Sequence, residues 1–384
     1  MTLGLIIAVL AFAVWAYLLV GHGGFWRMGE RDDRGQPPPP ATWPKVAAVV
    51  PARNEADVIV RSVGGLLAQD YPGEFRVILV DDNSEDGTGD AARAAAAALG
   101  AADRLTVLTG QPLPAGWTGK LWAMRQGIEA AGETPDYLWL TDADIAHSPD
   151  NLLALVSRAE ADGRVLVSLM AKLTTETFAE VMLIPAFVFF FDMLYPFGWV
   201  NDARRRMAAA AGGCMLAKRS ALAAAGGVEA IRTEIIDDCA LGRKMKAQGP
   251  IWLGLTHRAV SLRPYEGFAE VGRMVSRSAY AQLNYSPLLL AGCVVGMVLV
   301  YLAAPVLALS GHGLERALGL AAWAAMALAF QPILRFYRVS RLWGLALPLI
   351  GALYTWFTID SALQVWRGRG GMWKGRAQAA TEHS

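Results

Sequence analysis

Two aspartates one residue apart, Asp142 and Asp144, follow the apolar run Tyr137, Leu138, Trp139, Leu140. Just past a strand, carboxylates at that spacing can both face a hard divalent cation, one directly and one through water. Mg2+ is usually held in this way, by one or two carboxylates together with substrate phosphates. A plain loop with helix caps at Ser148 and Asp150 uses the same residue types. A second acidic pair, Asp81 and Asp82, opens the stretch Asp81-Asp82-Asn83-Ser84-Glu85-Asp86-Gly87-Thr88. Asn83, Ser84 and Asp86 suit helix caps and Gly87 a tight turn, but capping leaves the pair itself unexplained. A carboxylate at a strand end can accept from a base N–H or a ribose hydroxyl. The third pair, Asp237 and Asp238, sits in Glu234-Ile235-Ile236-Asp237-Asp238-Cys239. A carboxylate within reach of a hydroxyl can act as general base, and an acidic first helical turn is also what the helix dipole favours. Gly212-Gly213-Cys214 places glycines where backbone can approach a ligand closely or simply turn.

The elements around these clusters alternate. Apolar runs at 45–50, 75–80, 105–108 and 137–140 predict strands, and helical spacing at 56–69, 90–99 and 120–131 fills the gaps. The strands are continuous apolar runs rather than alternating ones, the pattern of a parallel sheet covered on both faces. Ligands of such α/β sheets bind beyond the carboxyl ends of the strands. The clusters at 53–55, 81–86 and 142–144 all fall there.

The chain has 384 residues, 54% of them hydrophobic and 18% charged, with a mean hydropathy of +0.32. An ordinary soluble domain has about 25% charged residues, so the excess apolar content needs a location. It lies at the two ends. Residues 2–20 carry no charge and approach the roughly 20 residues that cross a bilayer core. With no basic residue before them and Arg27, Arg31 and Arg34 after, they predict a retained anchor whose N-terminus is outside. Uncharged or nearly uncharged stretches at 287–309, 317–334 and 342–359 predict further spans. Arg335, Arg338 and Arg341 agree with the resulting topology, whereas Arg367, Arg369, Lys374 and Arg376 after the last span do not. A re-entrant last stretch, interrupted by Pro348 and closed by Asp360, would remove that conflict. The 35 basic and 34 acidic residues balance to +1, which excludes a basic footprint for nucleic acid. Three scattered cysteines make neither a disulfide framework nor a zinc knuckle.

Val50-Pro51-Ala52-Arg53-Asn54-Glu55, the 81–88 stretch, Gly119-Lys120 and Thr141-Asp142-Ala143-Asp144 occur in the order and spacing of the family 2 glycosyltransferases, which have the GT-A fold. The flanking spans resemble those of the ceramide glucosyltransferase branch. Over nearly its whole length, including Leu113-Pro114-Ala115-Gly116-Trp117-Thr118, the chain is most similar to bacterial hopene-associated glycosyltransferases. The resemblance implies a GT-A, Rossmann-like, mostly parallel sheet with helices on both faces, plus N-terminal and C-terminal transmembrane helices. The implied organisation is an anchor at 1–22, a Pro-rich linker at 23–44, and a cytoplasmic catalytic domain at 45–285. A C-terminal transmembrane region of about three helices follows at 286–366, and a basic tail at 367–384. A catalytic domain at the inner membrane of a bacterium is the implied location.

The same resemblance implies that Pro51, Arg53, Glu55 and Asp82 contact the nucleoside of a sugar donor, with Asp81 supporting them and Lys120 close by. Asp142 and Asp144 would bind the diphosphate through Mg2+ or Mn2+. Asp238 aligns with the family's general base, with Asp237 and Glu234 as substitutes, and Gly213 with the segment beside the donor sugar. Near the membrane, processive members carry Gln-x-x-Arg-Trp. Here only Arg277 of that pattern is left, with Arg273 as an alternative, and losing the tryptophan argues for adding a single sugar. The aromatic stretch at 180–200 would mix the two sides of the membrane if it crossed. It is therefore expected to lie in the headgroup region beside Arg204, Arg205 and Arg206, guiding a lipid acceptor; a buried core helix is the other reading. The expected activity is inverting transfer from a UDP-sugar to a lipid hydroxyl, a hopanoid being the implied acceptor. A nucleotidyltransferase or a non-catalytic membrane scaffold on the same fold are the alternatives. The histidines show no ligand spacing.

Overall fold

The computed structural model describes residues 2–368 and the backbone of 372, 373, 376 and 377. The basic tail expected at 367–384 otherwise lies outside the described residues. The chain forms two compact units, one from Glu30–Thr174 and Trp199–Arg263, the other from residues up to Gly29, Thr175–Gly198 and residues from Pro264 onward.

The first unit is built on an eight-stranded sheet. Its strands are β1 (Val46–Ala52), β2 (Phe75–Asp81), β3 (Leu105–Thr109), β4 (Tyr137–Thr141), β5 (Ile145–His147), β6 (Leu166–Lys172), β7 (Cys214–Lys218) and β8 (Ile251–Ser261). Their order is β3-β2-β1-β4-β7-β6-β8-β5. β1 to β4 pair in parallel, as their apolar runs predict. The remaining strands make the sheet mixed rather than all parallel: β6 pairs with β8 in parallel, but β7 runs antiparallel to both β4 and β6, and β5 antiparallel to β8. Cys214 to Ala217 are fully buried, and a strand buried on both faces reads as the same apolar run whichever way it points.

The order β2-β1-β4 puts a crevice at the carboxyl ends of β1 and β4. β1 stays paired with β2 through Ala52 but leaves β4 after Val49. Pro51, which has no N–H to give, lies in that unpaired stretch, where a proline costs the sheet nothing on the β4 side. The helix Gly119–Ala130 lies tight on this part of the sheet, since a Cβ on Gly127 would stand 2.5 Å from Val49 Cγ1. The expected linker belongs to this unit from Glu30 onward. Asp32 N donates to Leu255 O (3.0 Å) and Leu255 N to Glu30 O (2.9 Å), covering a free edge of β8. Asp32 also takes Arg258 at 3.0 Å and the Thr256 hydroxyl at 2.5 Å.

The second unit is helical. Among the described residues three helices are long and apolar enough to cross a membrane, Leu3–Val20, Pro287–Ser310 and Gly313–Tyr337. The last predicted span forms a helix over Leu347–Trp366, but Pro348, Asp360 and Gln364 keep it out of that group. Gly319 has backbone of Ala308 and Ala304 within 2.6 to 2.9 Å of where a Cβ would stand, so two of the three helices touch backbone to backbone. The aromatic stretch forms the helix Phe178–Leu194. Phe189 packs on Phe25 and Phe330, and Phe190 on Tyr301 and Tyr354. It is therefore a buried helix of this unit, with Phe178 and Leu194 its exposed large apolar residues.

Candidate active site

Loops at the carboxyl ends of β1 and β2 lock together. Asn54 and Asn83 both take left-handed backbone, which asparagine tolerates better than most residues. Asn54 N donates to Ser84 Oγ (2.9 Å), Glu85 N to Asn54 Oδ1 (3.0 Å) and Ala56 N to Asp86 Oδ2 (2.9 Å). Asp81 is consumed by this scaffold, accepting from Ser84 N and Gly89 N. Asp82 is fully buried. Arg53 lies against it, donating to the Asp82 carbonyl at 2.5 Å with its carboxylate 3.8 Å away.

Beyond β4 the acids are brought to cations. Lys120, in the first turn of the helix Gly119–Ala130, sits 2.9 Å from Asp142 Oδ1 and 3.3 Å from Asp237 Oδ2. Burial works against its charge, but the Asp142 and Asp237 carboxylates outweigh burial and hold the ammonium firmly protonated. Asp238 is placed by two backbone donors, Gly212 N at 3.0 Å and Cys239 N at 2.7 Å. Burial and the adjacent Asp237 charge push its carboxyl up to about 6, against the pull of Lys120 and the two N–H groups. A Cβ on Gly212 would stand 3.2 Å from Lys120 Nζ. Asp142, Lys120, Asp237, Asp238 and the Gly212 backbone are thus one contact network. Gly213 faces elsewhere, toward Ala171 and Ile145, and its carbonyl accepts from Thr141 Oγ1 at 2.8 Å. Asp144 meets Arg263, whose Nε is 3.4 Å from Asp144 Oδ2 and whose guanidinium also contacts Glu55 and Asp57. Arg277 is exposed at the end of the helix Phe268–Ser276, in the helical unit.

Asp142 and Asp144 fit a hard divalent cation. Both are partly exposed carboxylates, and no group of three or more His, Cys, Asp or Glu ligands occurs among the described residues. Such a half-built oxygen site suits a cation that completes its shell with water and substrate phosphates.

Two residues escape the sequence reading. Arg263 stands two residues past the end of β8, as the acids stand past β1 and β4, and that shared placement was its only signal. His147 has no ligand spacing because it binds protein. Its Nε2 lies 2.8 Å from Thr141 Oγ1 and its Nδ1 2.9 Å from Asn151 Nδ2. With Thr141 giving its proton to Gly213 O, the ring gives Nε2–H to Thr141. This ties the residue before Asp142 to the glycine segment before β7. Burial pushes the imidazole down to about 3, so it stays neutral in the folded protein while the unfolded chain protonates near 6.5. The resulting stability is complete above about pH 6.5 and is lost as pH falls toward 3. At pH 5 the loss is about 2 kcal/mol. Melting curves of detergent-purified protein should fall several degrees less between pH 7 and pH 5 in His147→Gln than in wild type.

Comparison with known proteins bears on the fold. Over 95% of this chain and 99% of the other, the structure matches the mannosyltransferase PcManGT from Pyrobaculum calidifontis, solved with GDP-Man and Mn2+, at 21% identity and a TM-score of 0.60. That likeness is one of fold. Looser likenesses, both at a TM-score of 0.40, are to S. aureus TarS 1–349 in complex with UDP (14% identity, 84% and 92% covered) and to mannosyl-3-phosphoglycerate synthase from Rubrobacter xylanophilus (18%, 72% and 81%). No curated protein sequence matches the chain. The model of glycosyl transferase family 2 matches residues 47–224, which hold β1 to β7, Lys120 and both acids after β4. Residues 47–224 are thus similar to a glycosyl transferase family 2 domain, and they lie on a GT-A fold with a mixed sheet.

Proposed function

We propose that this protein is an inverting membrane glycosyltransferase that moves one sugar from a nucleotide-sugar, a UDP-sugar in our reading, to a hydroxyl of a membrane lipid. One observation carries the proposal. The acid on the donor side, Asp142, and the acids on the acceptor side, Asp237 and Asp238, share a single lysine. Donor diphosphate and acceptor hydroxyl would meet across that lysine.

Arg53, Glu55 and Asp82 bind the nucleoside, and Lys120 approaches the diphosphate. Asp142 and Asp144 would hold a divalent cation, which would neutralise the charge that develops on the leaving group. Asp238 takes the proton of the acceptor hydroxyl as that oxygen bonds to the anomeric carbon and the bond to the nucleoside diphosphate breaks. Attack opposite the leaving group with one base inverts the anomeric centre. The three apolar helices support a membrane enzyme; a lipid acceptor and a site at the bacterial inner membrane, facing the cytoplasm, follow from the resemblance of the sequence. The acceptor we favour is a hopanoid, on the resemblance of the sequence.

The test is nucleoside diphosphate release by the full chain in detergent, over a panel of UDP- and GDP-sugars with Mg2+ or Mn2+, with and without a polyhydroxylated hopanoid. Lipid-dependent release is expected for one donor. Pyrophosphate release from a nucleoside triphosphate would establish a nucleotidyltransferase instead, and silence with donor bound would dismiss the hopanoid.

A further inference from the structure

Both acids after β4 already have a cation. Lys120 occupies Asp142 at 2.9 Å, and Arg263 lies on Asp144 at 3.4 Å while reaching Glu55 and Asp57. A metal ion entering the ligand-free protein would have to take these carboxylates from side chains of like charge. The two cations are themselves suited to a diphosphate, Arg263 through its planar fork and Lys120 as a point charge.

We infer that Arg263 is a place-holder in the donor site, which makes binding of the metal dependent on the nucleotide. In the free protein its guanidinium screens Asp144, Glu55 and Asp57 from one another and keeps a divalent cation out. When metal and nucleoside diphosphate enter together, partners are exchanged: the carboxylates pass to the metal, and Arg263 and Lys120 pass to the diphosphate. No bond to carbon or hydrogen changes.

The geometry allows a swing of the side chain alone. The backbone at Arg263 is tethered, with Leu262 N donating to Asp144 O at 2.8 Å and Thr174 Oγ1 to Arg263 O at 3.5 Å. The guanidinium donates to the carboxylates of Glu55 and Asp57, partners that phosphate oxygens can replace, and its Nε makes no hydrogen bond. This proposal rests on the donor-site reading above but concerns a separate step, the affinity for metal before nucleotide arrives.

The experiment is a Mn2+ titration of the full chain in detergent, followed by electron paramagnetic resonance of the free ion. Wild type, Arg263→Gln and Arg263→Lys are titrated alone and with UDP or GDP. Without nucleotide, Arg263→Gln should bind Mn2+ about fivefold more tightly than wild type, the upper end of the effect a competing partly exposed ion pair gives. Arg263→Lys, which keeps the charge but cannot span Glu55 and Asp144 together, should fall between them. Nucleotide should tighten Mn2+ binding more in wild type than in Arg263→Gln. Equal or weaker Mn2+ binding by Arg263→Gln without nucleotide overturns the proposal, and if that variant does not fold, a wild-type affinity in Arg263→Lys does so. If neither nucleotide binds any of the three proteins, the donor-site reading fails, and the comparison with Mn2+ alone still decides the place-holder.

Discussion

Asp238→Asn is expected to lower sugar transfer by about 1,000-fold, within the range that a positioned general base contributes, and to leave donor binding close to that of wild type. The carboxylate is fixed by the N–H groups of Gly212 and Cys239 at 3.0 and 2.7 Å, so its position does not depend on substrate. Burial and Asp237 raise it to about 6. A base in that range is ionised at pH 7 and still basic enough to take a hydroxyl proton in the transition state. Wild-type transfer should accordingly fall as pH drops through about 6, since protonation removes the base. Asp237→Asn should cost much less, because Asp237 points at Lys120 3.3 Å away. Initial rates across pH 5 to 8, with calorimetry of donor binding, would check all three. An Asp238→Asn enzyme keeping a tenth of its activity would remove Asp238 from this part.

Lys120→Met is expected to lower the turnover rate by about 100-fold, comparable to losing one charged partner of a developing anion. Lys120 is the joint of the network, holding Asp142 and Asp237 at once. Without it Asp237 and the nearby Asp238 lose their neighbouring ammonium, and Asp238 is pushed further toward its protonated form. The fall in rate at acid pH should therefore shift to higher pH in this variant. Lys120→Arg should not restore the rate, because a planar fork cannot take the place of a point charge with Gly212 only 3.2 Å from Nζ when given a Cβ. Steady-state kinetics of the two variants would separate a change in turnover from one in donor affinity.

The first half of the sheet was legible because β1 to β4 repeat one signal, an apolar run ending in polar residues. β5 to β8 were not. β5 has three residues, and β7 is covered on both faces, so neither length nor alternation marks it or gives its direction. Asp142, Lys120 and Asp238 were found from residue type and resemblance, and the contacts of the sheet unit bring them together. Gly213 was singled out where its neighbour Gly212 makes the close approach, since two adjacent glycines carry the same signal and point to opposite sides. His147 and Arg263 gave little away because their importance lies in partners distant in sequence: Asn151 and Thr141 for one, Glu55 and Asp144 for the other. The aromatic stretch reads equally as an interfacial or a buried helix, and only the rings packed on Phe189 and Phe190 decide.

The most direct test of transfer by a single base is the anomeric configuration of the product. The lipid glycoside formed from an α-linked nucleotide-sugar would be isolated and its anomeric proton coupling read by nuclear magnetic resonance. A β-linked product carrying one sugar is expected, with nucleoside diphosphate released in equal amount. An α-linked product would contradict direct displacement at Asp238.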